Sequence, residues 1–201
     1  MNYTIETERL MMRPFTLDDL PALVRIRTKE EVSRYLGTAA LQTPEFIAER
    51  LRLYLECYRR HGFGVAAVTE KPGGEMIGWG GLQPLEFGYH GLPPADVEAG
   101  EIEVGYAFDT PFWGKGYATE IAAACLRYGF EEVGLTRIVA VASPENSGSR
   151  HVMEKLGMKY ETTGQHYGSE CVLYAISRDE FTPRSSFYQM HHSERAGGEG
   201  E

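Results

Sequence analysis

Residues 112–120 read Phe-Trp-Gly-Lys-Gly-Tyr-Ala-Thr-Glu, two glycines flanking a lysine just ahead of a helix-like run. Glycines at the handover from strand to helix let a backbone come close to a ligand, because they carry no Cβ. The amides at the start of the helix, helped by its dipole, suit a phosphate. Upstream, Glu101 and Glu103 are two residues apart, so a strand sets both carboxylates on one face. Repulsion between two such groups raises the pKa of one, which suits a proton acceptor. Downstream, Asn146 and Ser149 offer a helix cap and a hydroxyl donor. Each feature also has a plainer reading: a tight turn, solvent-facing acids and ordinary capping.

Two phosphate-binding motifs are poor matches. A P-loop needs GxxxxGK[ST]; Gly114 and Gly116 are too close together and no Lys-Ser or Lys-Thr follows. A dinucleotide fingerprint needs a third small residue where Thr119 stands, and over a hundred residues precede the motif here. The three cysteines, Cys57, Cys125 and Cys171, are scattered and odd in number, with no CxxC and no evident histidine partner. No metal-ligand spacing is present. His191 and His192 lie in a polar stretch better read as solvated.

The elements that must position these residues follow from periodicity. Residues 9–13 form a first strand ending at Pro14, and Thr16-Leu-Asp-Asp is a helix start. Thr43-Pro44-Glu45 opens a second helix with Phe46, Ile47, Leu51, Tyr54, Leu55 and Tyr58 on one stripe. Residues 64–69 and 76–82 form a hairpin, and 83–100 a long loop rich in Gly and Pro. A strand at 101–108 precedes the glycine motif, in which Gly105 fits a bulge or a close backbone approach. A helix from about Tyr117 to Glu132, a doubly buried strand at 136–142, a short helix at 149–156 and strands at 158–160 and 170–176 complete the pattern. The order predicts a mixed α/β domain over residues 1–181. Residues 182–201 have low hydrophobicity and are expected to be disordered.

Composition narrows the class. The chain has 201 residues and a net charge of −9, with no basic patch, which disfavours nucleic acid and anionic membrane as partners. No apolar run is long enough for a bilayer and the first residues lack a signal-peptide pattern, so a cytoplasmic location is expected.

The runs IEVGYAFDTPFWGKGYATE and ENSGSRHVMEKLGM resemble the GNAT-type N-acetyltransferases, in particular the branch of ribosomal-protein N-terminal (alanine/serine) acetyltransferases. Thr7 to Pro14 resembles that branch's opening strand, Asn146, Ser149 and Lys155-Leu156-Gly157 its later helix, and Tyr167-Gly168 with Val172-Leu173-Tyr174 its last strand. The chain departs from the family at Pro111, where many members carry Arg or Gln, and at Met158, usually Phe.

This resemblance implies a mostly antiparallel sheet flanked by helices and split between two adjacent parallel strands, at 101–108 and 136–142. It implies acetyl-CoA as co-substrate and no metal. Val104, Tyr106, Phe108, Trp113, Gly114, Lys115, Gly116, Tyr117, Ala118, Thr119, Asn146 and Ser149 fall at cofactor-binding positions. Glu103 matches the base, with Glu101 as an alternative, and Ser149 the donor to the leaving thiolate. The expected reaction is direct acetyl transfer to a primary amine, with a protein N-terminus leading. The alternatives are a polyamine, antibiotic or amino acid as acceptor, or a CoA-binding module without catalysis. Trp79, Tyr89, His90 and Tyr106 are candidates for the acceptor pocket, and the expected assembly is a monomer or homodimer.

Overall fold

The computed structural model describes residues 2–36, 42–85, 100–183 and 187–193. Among these residues nine strands form one sheet: β1 (Asn2–Thr7), β2 (Leu10–Pro14), β3 (Val65–Glu70), β4 (Met76–Pro84), β5 (Ile102–Phe108), β6 (Arg137–Ala142), β7 (Lys159–His166), β8 (Ser169–Ser177) and β9 (Tyr188–Ser193). Their order is β7-β8-β6-β5-β4-β3-β2-β1-β9. Every neighbouring pair is antiparallel except β5 and β6. The helices are α1 (Leu20–Arg27), α2 (Glu30–Ser33), α3 (Pro44–His61), α4 (Tyr117–Tyr128) and α5 (Ser147–Lys155). The expected fold class is the one observed.

Alternation along the strands builds two large cores and a small third cluster of Val139, Leu173 and Ala175. Val65, Ala67 and Trp79 face α1 to α3, where Leu23, Ile26, Ile47 and Leu51 close over them. Ala66, Val68, Leu82, Val104 and Phe108 face the other way, onto Ile121, Cys125 and Leu126 of α4. Ala107 packs with the first core and Tyr106 with the second, so Glu103 and Gly105 share the α1–α3 face.

Local signals set the helix ends as expected. Asp19 accepts the Thr16 amide at 2.8 Å and a fork from Arg13 at 2.7 and 2.8 Å, but the first turn is 3-10 before α1 begins. Thr43 caps α3, its hydroxyl accepting the Phe46 amide at 3.2 Å. The helix expected to reach Glu132 does so through a widened π turn, Gly129–Val133.

Four expectations change. β1 was not foreseen as a separate strand, and β7 and β8 run longer than the short strands expected. Within the segment expected to be disordered, residues 188–193 pair with β1 along its whole length, Asn2↔Ser193 to Thr7↔Tyr188. Tyr188 and Met190 pack against the α4 core, supplying the apolar burial that average composition hid. The loop expected at 83–100 is strand as far as Pro84, while residues 86–99, including Tyr89 and His90, lie outside the described residues.

Candidate active site

β5 and β6 are joined at a single register position, Glu103↔Val139. Beyond it the strands part, and a cavity of about 1030 Å³ opens along β5. Its wall runs from Glu103 and Gly105 on β5 to Ala142 at the end of β6, Ser149 on α5 and the Gly114–Thr119 loop. β5 keeps a continuous register with β4 through Gly105↔Gly81, so Gly105 is not a bulge. A Cβ placed there would meet nothing within 4 Å. Gly105 therefore leaves an open lane for another chain to lie against the strand.

The glycine loop ends in left-handed geometry, with φ of +73° at Gly114 and +80° at Gly116, which other residues rarely adopt. Gly116 occupies the N-cap of α4, so the amides of the next residues point out of the helix without intrahelical acceptors. The loop is clipped from outside: Arg9 donates to the Lys115 carbonyl at 2.9 Å and ion-pairs with Glu120 at 2.6 Å. Burial alone would raise the Glu120 carboxyl, but hydrogen bonds from Thr7 and Arg9 prevail and hold it below the ordinary carboxylate range. Gly114, Gly116, Tyr117, Ala118 and Thr119 line the cavity. The Lys115 ammonium instead lies over Phe112, 4.8 Å from the ring centroid. Trp113 donates its indole N–H to the Phe108 carbonyl at 2.7 Å and is half exposed at the rim.

On α5, Asn146 caps the helix through the Ser149 amide at 3.1 Å. The Ser149 hydroxyl is 3.2 Å from the Tyr106 hydroxyl. Burial pushes the Tyr106 phenol up to about 12, against a smaller downward pull from Ser149. Val104 and Phe108, expected to bind cofactor, are buried in the α4 core and reach the cavity only as part of its wall.

The two candidate bases separate. Glu101 is exposed and ion-paired to Arg137 at 3.2 Å, which also holds Glu161 at 2.7 Å. Glu103 is buried, 5% exposed, and faces the cavity. Gln83 donates to Glu103 Oε1 at 2.5 Å and lies 3.3 Å from the Tyr167 hydroxyl. Tyr167 donates to that same carboxylate oxygen. Tyr167 has φ +52° in the two-residue turn between β7 and β8, with Gly168 at +71°. Left-handed φ is uncommon for a residue with a side chain and costs energy, and such outliers cluster at functional sites.

Sequence reasoning named Tyr167 without a role and missed Gln83. The cross-strand pairing Gln83↔Glu103 is the signal that finds it. Cys171 also lines the cavity, but its thiol points to the His166 carbonyl at 3.7 Å. Burial pushes the thiols of Cys57 and Cys125 up to about 12, leaving them inert. No group of His, Cys, Asp and Glu among the described residues could hold a metal.

The acetyltransferase (GNAT) domain model matches residues 9–159, and the chain belongs to that family. The FsC-acetyl coenzyme A-N(2)-transacetylase of Aspergillus fumigatus is 33% identical over 195 residues, 89% of this chain and 77% of that protein. A GNAT-family acetyltransferase structure from Bacillus anthracis is 29% identical, with a TM-score of 0.69, covering 88% of this chain and 99% of its own. The ribosomal-protein-S5-alanine acetyltransferase of Vibrio fischeri is 21% identical with a TM-score of 0.65, over 90% of this chain and 99% of that one, a likeness of fold alone. The protein is thus an acyltransferase of a family that uses acetyl-CoA. No helix among the described residues is long and apolar enough to cross a membrane.

Proposed function

We propose that the protein transfers the acetyl group of acetyl-CoA directly to a primary amine, with Glu103 as general base. One observation carries this reading: a single cavity joins the left-handed glycine loop, the lane at Gly105 and the buried Glu103 carboxylate.

The amides at the start of α4 suit the pyrophosphate. The pantetheine arm fits beside β5 as an added strand. An α-amino group has a pKa of about 7.7–8.0 and a lysine amine about 10.4, so the acceptor arrives mostly protonated at neutral pH. Glu103, steadied by Gln83 and Tyr167, takes that proton. The freed nitrogen attacks the thioester carbonyl carbon; the C–N bond forms, the C–S bond breaks, CoA leaves as thiolate, and the extra proton still on the nitrogen passes to that thiolate through solvent.

Ser149 and Tyr106 stand as donors to the developing thiolate. Tyr106 at about 12 loses its proton to a thiolate of ordinary basicity, about 8.5, only at a cost of roughly 5 kcal/mol. Its role is therefore a hydrogen bond rather than proton transfer. The inert Cys57 and Cys125 argue against an acetyl-cysteine on either. The motif resemblance supports a peptide N-terminus as acceptor, and the buried free thiols support a reducing, cytoplasmic setting.

Two measurements test this. Calorimetry with acetyl-CoA should show binding in the micromolar range or tighter, and thiol release should require an amine. Binding without thiol release across a broad panel of amines and peptides would leave a CoA-binding module instead.

A further inference from the structure

The acceptor half of the cavity holds two arginines that the acetyl transfer does not use. Arg27, the last residue of α1, lines it and is 4% exposed. Its Nε donates to Gln42 Oε1 at 2.9 Å and its Nη1 to the Tyr54 hydroxyl at 3.3 Å. Its guanidinium lies 5.2 Å from the Trp79 ring centroid. All three neighbours are uncharged. Arg25 and Lys29, on either side in sequence, both ion-pair with Asp109, whereas Arg27 makes no ion pair with any described carboxylate.

A second guanidinium, Arg50 of α3, also lines the cavity, 5.3 Å from the Tyr54 ring centroid. Among the described residues Glu31 is the acid on this side of the wall, and it is exposed. Burial and the nearby Arg50 both disfavour charge on Arg27, with Tyr54 opposing them. Burial alone would raise the Tyr54 phenol, yet the two arginines pull it below its ordinary range. A buried cation among neutral groups, beside a second cation, is costly unless an anion reaches it.

We propose that the acceptor carries an anionic, carboxylate-type group that binds against Arg27 and Arg50 while its amine meets Glu103. This rests on the N-acetyltransferase reading and narrows its substrate class. The register gives the spacing: Trp79↔Ala107 and Gln83↔Glu103 lie four residues apart on the same face. That is roughly 13 Å along the sheet. An extended peptide spans this in about four residues. A linear amino acid of similar reach presents the same chemistry.

The test reads binding rather than turnover, by calorimetry in the presence of CoA. One pair of probes is C-terminally amidated Ala-Ala-Ala-Asp and Ala-Ala-Ala-Asn. The other is ω-aminooctanoate and ω-aminooctanamide. The acidic member of at least one pair should bind at least about tenfold tighter, as expected of a charge-assisted guanidinium contact. A preference in the peptide pair alone assigns the acid to a peptide side chain; one in the small-molecule pair alone assigns it to a free amino acid. Arg50→Gln should cut the preference to below about threefold. Arg27→Lys, which keeps the charge but loses the planar fork, should reduce it too. Far-UV circular dichroism confirms that each variant is folded. No preference in either pair, no binding by any probe, or an unchanged preference in both folded variants would overturn the proposal. Failure of the acetyltransferase reading would show separately, as absent acetyl-CoA binding or absent thiol release.

Discussion

The Tyr167 hydroxyl donates its hydrogen bond to Glu103 Oε1, linking the β7–β8 turn to the strand on the far side of the sheet split. β6 and β8 lie between β7 and β5, so this contact crosses from one side of the split to the other beside its joined end, Glu103↔Val139. A general base must keep one geometry through the reaction, and a donor from a rigid turn serves that end.

Glu103→Gln should lower kcat by about 10²–10⁴, the range for removing a general base, with the acetyl-CoA dissociation constant changed less than about threefold. Single-turnover kinetics and calorimetry check both halves. The variant should also lose the acidic limb of the pH–rate profile. An unchanged profile would remove Glu103 from the base role and leave water or another group to take the proton. Tyr167→Phe should keep the base but loosen it, lowering kcat by about tenfold with little change in acetyl-CoA affinity.

Gly105 separates folding from binding. Its Cβ position is open in the free protein, so Gly105→Val should change stability by less than about 0.5 kcal/mol. The same side chain blocks the lane along β5, and the acetyl-CoA dissociation constant should rise at least about tenfold. Thermal melting and calorimetry on one preparation decide the matter. Gly116→Ala should fail differently: left-handed φ costs about 1–2 kcal/mol in stability as well as weakening binding.

These contrasts show which parts of the site could be read from the sequence. The glycine loop was legible because its chemistry is local: left-handed turns and a helix start demand Gly114 and Gly116 where they stand. The proposed base was half legible. Alternation placed Glu101 and Glu103 on one face, and tertiary packing tells them apart: Glu101 lies exposed beside Arg137, Glu103 buried beside Gln83 and Tyr167. Gln83, Arg27 and Arg50 carried no local signal, because their importance arises from strands and helices that meet across the cavity. β9 was hidden for the same reason. These six residues, with Tyr188 and Met190 packed on the α4 core, form a strand because β1 offers them an edge.

In the proposed mechanism Ser149 and Tyr106 share one task, so they should behave non-additively. Ser149→Ala and Tyr106→Phe should each slow acetyl transfer by about tenfold, and the double variant by much less than the product of the two. Both defects should shrink with an acetyl thioester of a more acidic thiol, which needs less help in leaving. Because the Tyr106 phenol is pushed up to about 12, its contribution should be constant across neutral pH.

Asp109 ties α1 to the end of β5 through Arg25. Its carboxylate is 1% exposed, receives Lys29 at 2.5 Å and Arg25 at 2.8 Å, and accepts the Thr110 amide at 2.7 Å. Burial alone would raise the Asp109 carboxyl, but these donors prevail and hold it below the usual range. A depressed folded pKa makes the stabilisation complete above the unfolded value of about 3.9 and removes it as pH falls through the folded value. Asp109→Asn should therefore destabilise at pH 7 by about 1–3 kcal/mol. That is less than a fully buried pair is worth, because Arg25 and Lys29 are 40% and 33% exposed. The gap between the variant and the parent should narrow as pH falls below about 3.9 and on through the folded value, so urea titrations from pH 7 downward should show a shrinking difference. The same loss frees α1, and with it Arg27, from the end of β5. Any preference for acidic acceptors should then weaken in Asp109→Asn even at neutral pH, while acetyl-CoA binding at the glycine loop persists.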